Sequence, residues 1–126
     1  VCLKYGIGVL PYSPLAGGFL TGKYRRNQAL PSGVRVDGNK QRMSKQNFDL
    51  VEKLIEIAQR HDSTPTRVAL AWLLAQPFVS APIIGANNTG QLADSMGATA
   101  LGLSEEEIGE ISDVAIWEKS RTDREA

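Results

Sequence analysis

Gly17, Gly22 and Lys23 occupy the first, sixth and seventh positions of the pattern G-x-x-x-x-G-K, in which a glycine-rich loop offers backbone N–H groups and a lysine ammonium to a phosphate. They close a segment, Gly8 to Tyr24, that runs from a short apolar stretch through Pro11 and Pro14 to the pair Gly17-Gly18. Such a segment predicts a strand leading into a backbone-exposed loop able to cradle an anion. The eighth position argues against a nucleoside triphosphatase. Tyr24 stands where Mg²⁺ would need a Ser or Thr hydroxyl, and Arg25-Arg26-Asn27-Gln28 does not open an apolar helix. A plain glycine-rich turn with Lys23 in water stays open as the alternative. The same geometry recurs downstream: Ser80 to Gly85 is a second short strand ending on glycine, and Asn87-Asn88-Thr89 caps a helix at once.

The other reactive side chains carry less. His61, beside Asp62 at a helix end, is expected to meet terminal carbonyls or water. Glu105-Glu106-Glu107 is a favourable first helical turn and not a metal site. Cys2, the single cysteine, cannot form an internal disulfide, reads as a small apolar residue and suits a reducing cytosol. No catalytic residue and no metal ligand is assigned.

These residues need elements to hold them. Gly6 to Tyr12 predicts a buried strand. Arg25 to Arg42, with Pro31, Gly33 and Gly38, predicts a long surface loop of the kind that usually has a function. Ser44 caps a helix whose face is Phe48, Val51, Leu54, Ile55 and Ala58. Thr64-Pro65 starts a second, largely buried helix through Val68, Leu70, Ala71, Trp72, Leu73 and Leu74, with Trp72 in the core. A third helix is expected to reach about Ala98 with Leu92 and Met96 on its inner face. Ser104 and Glu107 form a capping box, stapled by Leu103 and Ile108, for a last helix facing inward through Ile108, Ile111, Val114 and Ala115. Trp117 is a packing or tail residue, and Lys119 to Ala126 is expected to fray. The order is α/β, with parallel strands and crossover helices. Two strands this apolar want neighbours on both edges and cover on both faces.

The 126 residues carry 14 basic and 14 acidic side chains, so no global field recruits nucleic acid or an anionic membrane. No apolar run nears the roughly 20 residues of a membrane helix, and no secretory leader is visible. Val1 is not methionine, as though the chain were cut from something longer.

Tyr12-Ser13-Pro14-Leu15-Ala16-Gly17-Gly18 followed by Leu20-Thr21-Gly22-Lys23-Tyr24 resembles the segment after the seventh barrel strand of aldo-keto reductases. Thr64-Pro65 with Val68 to Leu74, then Ala81-Pro82-Ile83-Ile84-Gly85-Ala86 and Gln91-Leu92, resembles the next helix, the eighth strand and the loop and helix beyond. The resemblance is collinear over residues 6–115, leaves 116–126 as a polar tail, and is nearest the branch of potassium-channel beta subunits and related bacterial reductases. It implies a partial domain: the C-terminal part of a (β/α)₈ TIM barrel, two strands plus helices, incomplete on its own and below the roughly 200 residues of a full barrel.

The resemblance also implies NADP(H) as cofactor. The loop matching Ser13, Pro14, Leu15, Ala16 and Lys23 folds over the pyrophosphate in that family, Tyr12 matches an aromatic that stacks on the nicotinamide, and Arg35 matches an arginine that helps clasp the cofactor. As a core tyrosine, Tyr12 has an equally simple account. Gly85, Asn87, Gln91, Asp94 and Ser95 match positions around the adenosine. Gln91 replaces an arginine found in some members, and a neutral amide grips a 2′-phosphate less firmly than a guanidinium. The family's catalytic tyrosine, lysine, histidine and aspartate lie on the first half of the barrel and match nothing here. Three readings are open. The favoured one is a cytoplasmic, cofactor-binding piece of a carbonyl reductase, inactive alone. The second is part of an active reductase whose remaining barrel reduces the small carbonyl substrate. The third is a non-enzymatic interaction module that self-associates through exposed barrel edges.

Overall fold

The computed structural model describes residues 1–32 and 42–115. Arg35, Trp117, the tail and the middle of the long loop lie outside the described residues. The helices among those described are α1 (Cys2–Tyr5), α2 (Lys45–Arg60), α3 (Pro65–Leu74), α4 (Thr89–Met96) and α5 (Glu105–Val114), with 3-10 turns at Ala16–Thr21 and Gly97–Ala100.

Four of these helices begin where a side chain satisfies an orphan backbone N–H. Ser44, Thr64, Asn88 and Ser104 accept from the N–H groups of Asn47, Arg67, Gln91 and Glu107. Pro65 fills the first turn of α3, and Glu107 closes the expected box by reaching back to the Ser104 N–H. The core forms where α2 and α3 cross and α5 covers them: Leu54, Ile57, Ala58, Val68, Ala69 and Ile111 are buried together. Trp72 lies at its margin and donates Nε1–H to Ser112 Oγ and the Ile108 carbonyl. Around the rim, Lys53 and Arg60 of α2 pair with Glu56 and with Glu110 of α5.

The two predicted strands lie parallel, as expected, but as isolated bridges instead of a continuous ladder. Val9 pairs with Val79, its N–H donating to the Phe78 carbonyl and its own carbonyl accepting from Ser80. The next two bonds of a parallel ladder would come from the N–H groups of residues 11 and 82. Both are proline and have none. The pairing resumes one residue late, with Ile83 N–H on the Pro11 carbonyl and Tyr12 opposite Ile83, so that three steps on the first segment match four on the second. The first segment is also not buried: Ile7, Leu10 and Tyr12 are exposed, because among the described residues only the second segment pairs with it.

Two further expectations are corrected. The third helix is α-helical only to Met96 and continues as a 3-10 turn, and Leu92 and Met96 face outward. Its inward residues are the small Ser95 and Ala98, which let α4 and the turn lie close on α3. The His61 ring, partly exposed, engages a carboxylate and not the terminal carbonyls. Its Nε2 lies 2.9 Å from Glu107, joining the end of α2 to the start of α5.

Candidate functional site

The loop beyond Tyr12 alternates between anchors and exposed groups. Phe19 and Tyr24 are buried, their rings stacked at 5.6 Å, and Phe48 of α2 packs on Phe19 at 5.5 Å. Tyr24 thus occupies the core at the position where a triphosphate loop would hold its metal. Leu15 and Leu20 pack on the main core, and Gly22 approaches α3 so closely that a Cβ there would lie 3.1 Å from Pro65 Cγ. With those side chains turned in, the backbone between them is forced into left-handed turns. Ser13, Ala16, Gly17, Gly18 and Gly22 all have positive φ, a strain that non-glycine residues tolerate mainly at functional sites.

Lys23 folds back over this loop. Its ammonium stands 5.3 Å from the Tyr24 ring centroid and would be 2.8 Å from a Cβ on Gly18. Arg42, which no motif singled out, donates to the Ala16 carbonyl at 2.9 Å and adds positive charge behind the loop. Some of the loop's amides are engaged internally: Ala16 N–H donates to the Ser13 carbonyl, and the Gly18 and Leu20 N–H groups donate to the Leu15 carbonyl. Tyr12 is 86% exposed within this chain, its ring at the open rim.

At the second segment, Gly85 is exposed and has nothing within 4 Å of where a Cβ would sit, so a ligand's polar groups can approach the backbone. The Gln91 side-chain oxygen accepts from the Asn87 N–H at 2.9 Å while Asn88 Oδ1 accepts from the Gln91 N–H, a reciprocal cap that turns the Gln91 amide donors outward. Ser95 is buried. Asp94 is engaged by Thr64 and Arg67 of the neighbouring helix. Parallel pairing brings the two segment ends together: Tyr12, Ser13 and the loop to Lys23 leave from the same rim as Ile84, Gly85 and Asn87. Arg35 lies outside the described residues.

A family model described as the aldo/keto reductase family matches residues 1–116. The chain belongs to that family. Among its relatives, the aldo-keto reductase yakc of Schizosaccharomyces pombe, whose name carries NADP(+), is 36% identical over 87% of this chain and 33% of its own length. A putative voltage-gated potassium channel subunit beta of the same organism is 35% identical over 75% of this chain and 29% of its own. The crystal structure of the thermostable aldo-keto reductase Tm1743 with the inhibitor epalrestat superimposes with a TM-score of 0.61 at 29% identity, over 90% of this chain and 31% of that one. The chain spans about a third of the length of the curated relatives it matches. Its fold is therefore the C-terminal part of an aldo-keto reductase barrel, and its two paired segments are barrel strands. Among the described residues no helix is long and apolar enough to cross a membrane, and no three His, Cys, Asp or Glu side chains gather as a metal site.

Proposed function

We propose that this chain is the C-terminal, NADP(H)-binding part of a cytoplasmic aldo-keto reductase, with the reduction of aldehydes and ketones performed only by the complete barrel. The observation that carries the reading is the bridge from Tyr12 to Ile83, which sets two anion-compatible loops on one rim. Lys23 and the loop Ser13-Pro14-Leu15-Ala16-Gly17-Gly18, left-handed at Ser13, Ala16, Gly17 and Gly18, suit a pyrophosphate. Tyr12 offers a ring to the nicotinamide, Gly85 an uncovered backbone, and Asn87 and Gln91 donors to the adenosine ribose. The bound nicotinamide would supply the hydride. This chain's residues orient the cofactor, and none matches the family's proton donor, so the chain alone is inactive.

NADPH titration by fluorescence on the purified chain, with a generic aldehyde present, tests this. Binding with a micromolar-range constant and no turnover is expected; turnover refutes the assignment of the chemistry elsewhere, and no binding refutes the cofactor role.

A second reading has its own observation. Exposed Ile7, Leu10, Tyr12 and Ile83 form an uncovered apolar stretch along the paired segments, suited to self-association or to a partner chain. A stable monomer in sedimentation velocity rejects it.

A further inference from the structure

Between α3 and α4 lies a polar cluster that the cofactor assignment does not explain. Thr64 Oγ1 donates to both carboxylate oxygens of Asp94, at 2.9 and 3.1 Å, and Arg67 Nε donates to Asp94 Oδ1 at 2.9 Å and to the Asp94 carbonyl at 3.3 Å. Thr64 Oγ1 also accepts the Arg67 N–H, so the cap of α3 and the clasp on α4 share one hydroxyl. The Asp94 carboxylate is thereby held toward α3.

Gly97 explains how the arginine reaches it. A Cβ at Gly97 would lie 2.5 Å from Arg67 Nε and 2.7 Å from Cζ. Yet its φ of −61° and ψ of −16° are ordinary right-handed values that any residue adopts. The backbone does not call for glycine here. The passage of the guanidinium does.

We propose that Arg67 is a positioning residue for the nucleotide end of the site: through Asp94 it fixes α4 on α3, and so sets where Asn87, Asn88 and Gln91 stand, with Gly97 as the opening it crosses. This rests on the NADP(H) reading above, and within it Asp94 belongs to the clasp and is not a cofactor ligand.

The test uses G97A, R67A and the double variant in the full chain, read by urea midpoint and NADPH dissociation constant. Alanine at a right-handed position is intrinsically favoured over glycine, so G97A raises the midpoint in the R67A background, where no atom beyond Cβ is left to clash. With Arg67 present it displaces the guanidinium and lowers the midpoint. Each single variant weakens NADPH binding by about tenfold, and the double variant no further, since both remove one interaction. T64S retains wild-type affinity and T64V behaves as R67A. A G97A shift of the same sign in both backgrounds overturns the clasp, and sign reversal with unchanged affinity overturns its positioning role. If the unmodified chain binds no NADPH, the cofactor reading fails, and the clasp is judged by amide exchange: about tenfold faster exchange at Gln91 N–H in R67A supports it, and an unchanged rate overturns it.

Discussion

Gly18→Ala separates the backbone cost of the phosphate-type loop from its charge. Gly18 has φ +86°, and a side chain there must accept a left-handed backbone at about 1–2 kcal/mol. Restricting the unfolded chain returns about 0.4–1 kcal/mol, so the net loss is about 1 kcal/mol. Gly6 is the matched control: its φ is +63° and nothing lies within 4 Å of the added Cβ, so G6A carries the backbone term alone. At Gly18 the new Cβ also sits 2.8 Å from Lys23 Nζ and 3.1 Å from Cε, inside any van der Waals contact, and the ammonium must leave. One charge-assisted hydrogen bond is worth about 1.5–3 kcal/mol, or roughly ten- to hundredfold in affinity. Both variants therefore lose about 0.5 M or somewhat more in urea midpoint, given a slope of roughly 1–3 kcal/mol per molar. Only G18A weakens NADPH binding, toward the level of K23M. Equal NADPH constants for G18A and G6A refute the placement of Lys23 on the phosphates.

Two further outcomes rest on the packing. Tyr24→Ser supplies the hydroxyl of a triphosphate loop but removes a buried ring stacked on Phe19, so the chain loses about 3 kcal/mol or more in urea denaturation and gains no Mg²⁺-dependent ATP binding by calorimetry. Arg60, and after it Lys53, holds the Glu110 carboxyl at about 2 against an ordinary 4.5. A carboxyl depressed by folding contributes stability that is complete above about 4.5 and disappears as pH falls through about 2. Urea midpoints measured across that window should fall more steeply for the unmodified chain than for E110Q, and parallel profiles refute the network's contribution.

What could be read from the residues was local. The spacing of Val51, Leu54 and Ala58, the Thr64-Pro65 start and the Ser104 to Glu107 box each fix a helix through interactions within a turn or two. The inner face of α4 differs from the one its sequence suggests for a physical reason: an eight-residue helix of mostly small and polar residues has no decisive periodicity, and close approach to α3 selects Ser95 and Ala98 over the larger Leu92 and Met96. His61 with Glu107 and Arg67 with Asp94 are pairs between separate elements, and nothing in the local pattern announces them. At the candidate site, the two loops were legible because glycines and prolines mark them. The burial of Tyr24 and the reach of Arg42 to Ala16 were not, because both depend on where α2 lies.

The paired prolines have a consequence for anyone grafting this rim onto another barrel. A strand's side chains alternate between its two faces, so the extra residue between Val79 and Ile83 inverts the facing of everything beyond it. Ile83, Ile84 and Gly85 point where they do because residues 11 and 82 jointly withhold two donors. Transplanting the loops with a donor at either position would let the strands zip in phase, presenting the same nucleotide-facing sequence with inside and outside exchanged.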